Sequence, residues 1–228
     1  MNKSTILLCS CLLWTASAFA IEKNVSSPDG KVVVAVSDEG GAPSYSVTYN
    51  GIPFLLKSPL GIETNLGNYT SQMELSSASE NQALNETYQL PNIKQSHVEY
   101  QANRQVFTFS KDGKKIYDVI FQVSNRDVAF RYKLYPQKQT LCCVVLKEAT
   151  GFTMPQGTTT FMCPQSKPMG GFARTSPSYE TGYTPDDAIG KNGWGEGYTF
   201  PCLFRLNENG WVLISETGTD GGYCGCRL

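Results

Sequence analysis

Apolar side chains recur at every second position through most of this chain, the period of a strand with one face buried. Lys31 to Ser37 is a valine-rich run opened by the turn Pro28-Asp29-Gly30. Tyr45, Val47 and Tyr49 alternate with small polar residues up to Asn50-Gly51, a dipeptide that favours the left-handed backbone of a tight hairpin. Gln105 to Ser110 and Lys114 to Ser124 flank Asp112-Gly113 in the same way. Val128, Phe130, Tyr132 and Leu134 then alternate on a third strand, so a three-stranded meander is predicted. Leu141 to Leu146 and Trp211 to Ser215 read as further strands, and His97 falls in another beside Val98 and Tyr100. Thr64 to Leu90, rich in serine, asparagine and glutamine, reads as a loop or irregular edge. Nowhere does the i, i+3, i+4, i+7 pattern persist over the ten or so residues a helix needs. The pattern therefore predicts an all-β fold, a large sandwich with no second domain.

The amino terminus departs from this pattern. Lys3, the apolar stretch Ile6 to Trp14 and the small-x-small site Ala18-Phe19-Ala20 together read as a secretory signal over residues 1–20, with the mature chain, residues 21–228, starting at Ile21. The apolar stretch is well short of the ~20 residues that span a bilayer, so no membrane anchor is expected. Of the 228 residues, Lys plus Arg account for 19 and Asp plus Glu for 20; cleavage removes only Lys3, leaving 18 against 20 and a net charge of -2. That balance supplies no field for capturing nucleic acid.

Candidate chemistry is sparse. Cleavage leaves Cys142, Cys143, Cys163, Cys202, Cys224 and Cys226, an adjacent pair and a Cys-x-Cys among them, without the spacing of a zinc site. They read as small buried apolar residues, with a disulfide framework as the alternative in an oxidising compartment. His97, the sole histidine, lacks a nucleophile elbow or a placed partner, and GKNGWGEG (190–197) lacks the context of a phosphate loop. Residues 163–200 combine glycines with Tyr179, Tyr183, Trp194, Tyr198, Glu180 and Glu196. Rings that stack on sugar faces and carboxylates that accept from hydroxyls would suit carbohydrate, with Trp194 and Glu216 the candidate substrate contacts. The acid pairs Asp186 with Asp187 and Glu180 with Glu196 read as solvated surface groups, and no catalytic residue is expected.

Five segments in order, SPDGKVVVAVS, YSVTYNGIPFLLKSPLGIE, VSNRDVAFRYKL, SYETGYTPD and GEGYTFPCLFRLNENGWVLISETGTDGGYCGCRL, resemble the amino-terminal domain of glycoside hydrolase family 97. The resemblance implies an antiparallel β-super-sandwich of the galactose-mutarotase-like type, followed in the family by a catalytic (β/α)8 barrel and a small β domain. It implies an exported bacterial protein, periplasmic or extracellular, belonging to a glycosidase that acts on α-linked oligosaccharides such as α-glucosides and α-galactosides. By the same resemblance Glu180 is expected to be a ligand to a Ca2+ ion shared with the barrel. The chain is expected to be a fragment, incomplete at its C-terminal end and inactive without the barrel. The other reading is a stand-alone secreted sandwich that binds carbohydrate or protein without catalysis.

Overall fold

The computed structural model describes residues 22–137, 139, 142–165, 184–190, 197–218 and 226–228. Among these residues sixteen strands account for most, and the helical content is two 3-10 turns, Glu39–Gly41 and Asn207–Asn209. No helix among the described residues is long and apolar enough to cross a membrane. The segment read as a secretory signal, residues 1–20, lies outside the described residues.

Strands β1 (Glu22–Ser26), β2 (Val32–Ser37), β3 (Ser44–Tyr49) and β4 (Ile52–Pro59) form one antiparallel sheet in chain order. Its hairpins are set by local chemistry. Gly30 donates to the carbonyl of Ser27 across 2.9 Å, and Asn50 and Gly51 both take positive φ, 49° and 76°, so their backbone twist matches the strands they join. A small sheet of β5 (Ile62–Thr64), β6 (Gly67–Asn68) and β12 (Val145–Glu148) follows in the order β12-β5-β6.

The second large sheet contains β7 (Glu74–Ala78), β8 (Gln82–Gln89), β9 (His97–Lys111), β10 (Lys114–Ser124) and β11 (Val128–Leu134). Its order is β11-β10-β9-β7, with β8 also paired to β9, so the predicted meander is present and turns at Asp112-Gly113. Of the two readings of Thr64 to Leu90 the irregular edge holds and the loop does not: β7 and β8 lie inside it, both pair with β9 at the margin of the sheet, and the register shifts between Leu75 and Ser77. One expectation needs correction. The strand expected at Leu141 to Leu146 instead runs from Val145 to Glu148 and is exposed along its length; Leu141 lies outside the described residues.

These two sheets enclose the main core. Val34, Val36, Tyr45 and Val47 from the first face Phe107, Phe109, Tyr117, Val119, Phe121 and Val123 from the second. Phe121 sits at the centre, its ring 5.8 Å from Tyr45, 5.8 Å from Phe107 and 5.4 Å from Phe130. Strand β2 alternates buried and half-buried residues without exception, which is why its register could be read from the valines alone.

The fourth sheet, β13 (Thr159–Pro164), β14 (Asp187–Ala188), β15 (Tyr198–Arg205) and β16 (Trp211–Ile214), runs β14-β13-β15-β16. Its inner face buries Cys202, Phe204, Leu206 and Ile214 in a second core. Phe152 and Met154 pack against both cores, and the backbone between them is laced to β4: Leu56 donates to the Thr153 carbonyl at 2.8 Å, and Thr153 donates to Ser58 Oγ at 2.9 Å. The architecture is an antiparallel β-sandwich, as the period-two pattern and the resemblance both require.

Candidate functional site

The outer face of the fourth sheet is where polar chemistry and an exposed ring meet. A tight connection, Leu206 to Gly210, turns β15 into β16 and brings Arg205 directly opposite Trp211. Thr159 pairs with Arg205 from the other side. Arg205 Nη2 lies 2.6 Å from Asp186 Oδ1, and Thr159 Oγ1 donates to that same oxygen at 2.9 Å. The Arg205 guanidinium lies 5.9 Å from the centre of the Trp211 ring, and the Phe161 ring is 5.4 Å away. Trp211 nevertheless keeps 51% of its surface in water.

An open groove of about 420 Å3 runs beside this cluster, between Gly157 and the turn Asn207 to Gly210. Asn207 closes one side, its amide donating to the Gln156 carbonyl at 3.2 Å. Gly157 permits that approach: at φ 83° a Cβ there would come within 2.9 Å of the Asn207 side chain.

On the opposite face burial controls the chemistry. The Cys202 thiol donates to the Thr199 carbonyl at 3.3 Å, and burial, then neighbouring Cys163, push its pKa up to about 11. It is a core residue and not a nucleophile. Burial first, then Asp187 and Cys202, raise the phenol of Tyr198. Cys202 meets the expectation of a small buried cysteine, but Cys163 is half-buried and Cys142, Cys143 and Cys226 are exposed. The segments that carry those three leave their residues at the surface, which no spacing rule could have foretold.

The structure distributes the sequence candidates widely. Glu180, Trp194 and Glu196 lie outside the described residues. Glu216 follows the end of β16 and accepts from the backbone N–H of Cys226, at the far end of the strand from Trp211. His97 opens β9 at the surface, with Nε2 3.6 Å from Glu99 Oε1. The pair Asp186 and Asp187 is split. Asp186 is exposed, as read, and bound to Arg205, whereas Asp187 is buried in β14, contrary to the reading of both as surface acids. Among the described residues no three His, Cys, Asp or Glu side chains converge as metal ligands. Sequence reasoning missed the Arg205 and Trp211 pairing. The signal was present in LNENG, whose asparagines and glycine specify a turn that sets the two residues face to face.

The glycosyl-hydrolase 97 N-terminal family model matches residues 25–228, and the chain belongs to that family. A crystal structure of a beta-arabinopyranosidase superposes with a TM-score of 0.84 at 46% identity, covering 90% of this chain and 33% of that one. A probable retaining alpha-galactosidase from Streptomyces bingchenggensis (strain BCW-1) is 28% identical over 188 residues, 82% of this chain and 27% of that protein. A glycoside hydrolase family 97 enzyme from Pseudoalteromonas sp. strain K8, in complex with acarbose, superposes with a TM-score of 0.65 at 25% identity, over 81% of this chain and 27% of that one. The chain thus spans about a quarter to a third of the length of these relatives.

Proposed function

We propose that this chain is the amino-terminal domain of an exported glycosidase that cleaves β-L-arabinopyranosides or α-D-galactosides, and that it walls part of the sugar pocket of a catalytic barrel. The observation that carries the reading is the 46% identity to a beta-arabinopyranosidase across 90% of the chain. The second relative fits the same chemistry, because β-L-arabinopyranose and α-D-galactopyranose share their ring hydroxyl configuration and differ only by the hydroxymethyl group at C5. One pocket geometry therefore serves either bond.

Glycoside hydrolysis needs two carboxyl groups roughly 5 to 10 Å apart. Asp186 is committed to Arg205 and Thr159, and Asp187 is buried in a strand, so the reading assigns acid and base to the barrel. Glu180 is the proposed calcium ligand from this domain. Calcium takes six to eight oxygens and one carboxylate supplies one or two, so Glu180 would complete a shared site and bind little alone.

The test is hydrolysis by the full-length gene product of p-nitrophenyl β-L-arabinopyranoside, α-D-galactopyranoside and α-D-glucopyranoside. Turnover of either of the first two at least tenfold above the glucoside is expected; a glucoside preference would overturn the assignment. Glu180→Gln should weaken calcium binding by calorimetry and lower activity together, and unchanged calcium affinity would remove Glu180 from the site.

A further inference from the structure

We infer that the groove between Trp211, Arg205 and the Asn207 to Gly210 turn is a saccharide-binding subsite, taking a single pyranose of galactose or arabinose configuration. The sugar class rests on the proposed function; the site rests on the groove itself. Three observations converge on it. First, Trp211 is held by neighbours without being sunk into the core: Phe161 and the Arg205 guanidinium contact its ring, yet half of it remains in water. An indole fixed in place at the surface offers a flat apolar platform, which the C–H face of a pyranose covers.

Second, the polar groups around the platform are oriented in advance. Asp186, itself held by the Thr159 hydroxyl, fixes one end of the Arg205 guanidinium, a group with five N–H donors in a rigid fork. Asn207 is anchored to the Gln156 carbonyl, and Glu208 lines the groove beside it. Donors and acceptors thus stand on the same rim, and a polyhydroxylated ring requires both. A multiply charged anion would meet Glu208 and Asp186, and a simple cation would meet Arg205. Third, at about 420 Å3 the groove falls within the ~300–1,000 Å3 of small-molecule sites.

The test is titration of the full chain with methyl β-L-arabinopyranoside, methyl α-D-galactopyranoside and methyl α-D-glucopyranoside, followed by two-dimensional amide and indole NMR. The first two should give saturable shifts at the Trp211 indole and at the amides of Arg205 and Gly210. Trp211→Ala should weaken binding about tenfold, the scale of one good ring contact, while Trp211→Phe should restore most of it. Arg205→Met carries the test if Trp211→Ala fails to fold, and should weaken binding severalfold while lowering the thermal melt only slightly, as the loss of an exposed ion pair does. No saturable shift into the millimolar range, equal binding of the glucoside, or full affinity in a folded Arg205→Met variant would each overturn the inference. Failure of the hydrolysis test would remove the galactose or arabinose assignment but not the site, because saturable shifts at Trp211, Arg205 and Gly210 read binding at this groove.

Discussion

The phenol of Tyr135 donates a 2.8 Å hydrogen bond to Oδ2 of Asp118, a carboxylate buried in β10. Thr108 Oγ1 donates to the other oxygen at 2.8 Å, so one acid joins β9, β10 and the segment after β11. The bond from Tyr135 stabilises its protonated phenol, and this, followed by burial, raises the phenol above its ordinary value. Asp118→Ala should therefore cost about 2 kcal/mol by stranding the buried Thr108 hydroxyl and releasing that of Tyr135 to water, and Tyr135→Phe about 1 kcal/mol. Urea denaturation of the two single variants and the double variant would measure the coupling. In Asp118→Ala the ultraviolet titration of Tyr135 should move back toward an ordinary phenol, and an unmoved curve would refute the assignment.

Stability should fall at alkaline pH. Cys202 is raised to about 11, and the phenols of Tyr45, Tyr117 and Tyr132 are raised above the usual value, each by burial first. In all four the folded state holds a proton that the unfolded chain releases sooner. Their contribution is fully present below the ordinary thiol pKa of about 8.5, and it is lost as pH rises through 11 and beyond. The loss should be on the order of 1 kcal/mol per pH unit for each group that has begun to titrate in the unfolded chain. Urea midpoints at pH 8, 9, 10 and 11 would show it, and Cys202→Ala should flatten the first part of the decline. A midpoint constant from pH 8 to 11 would contradict the burial described above.

Gly61, between β4 and β5, should tolerate no side chain. Its φ is 148°, and a Cβ there would lie 2.9 Å from the Thr70 Cα and 3.0 Å from the Tyr69 carbonyl oxygen, both backbone atoms. Its N–H donates to the Tyr132 hydroxyl at 3.0 Å and its carbonyl accepts from Ala149 at 2.8 Å, so the chain cannot easily shift aside. Gly61→Ala should cost about 2–4 kcal/mol. Gly51→Ala faces open space and carries only the strain of a left-handed turn, about 1 kcal/mol. Thermal melts of the two variants should rank in that order.

Where the turn chemistry was explicit, the fold was legible in advance. Asn50-Gly51 and Asp112-Gly113 specify their own backbone, and the strands beside them alternate because one face is buried. Strand β8 was illegible for the opposite physical reason. QALNETYQ is exposed at all but one position and is defined by its pairing with β9, so no apolar period could mark it. The burial of Asp187 escaped notice because β14 is two residues long and takes its position from β13. The Arg205 and Trp211 cluster was missed because a charged residue and an aromatic six positions apart carry no signal until the turn between them is drawn.

The hairpin of β8 and the first half of β9 keeps most of its side chains in water. It is tied back to the sheet at Tyr100, whose hydroxyl accepts from Gln122 of β10 and donates to Asp127. The second half of β9 lies inside the core. One continuous strand should then keep two clocks. Amides from His97 to Gln101 exchange with solvent through local fraying, whereas those from Phe107 to Ser110 wait for the sandwich to open. A protease or a hydrogen-exchange pulse would find the seam between the two regimes near Ala102, the first residue of β9 that the fold fully buries. The arm beyond Tyr100 can therefore fray or be trimmed while the core stays closed.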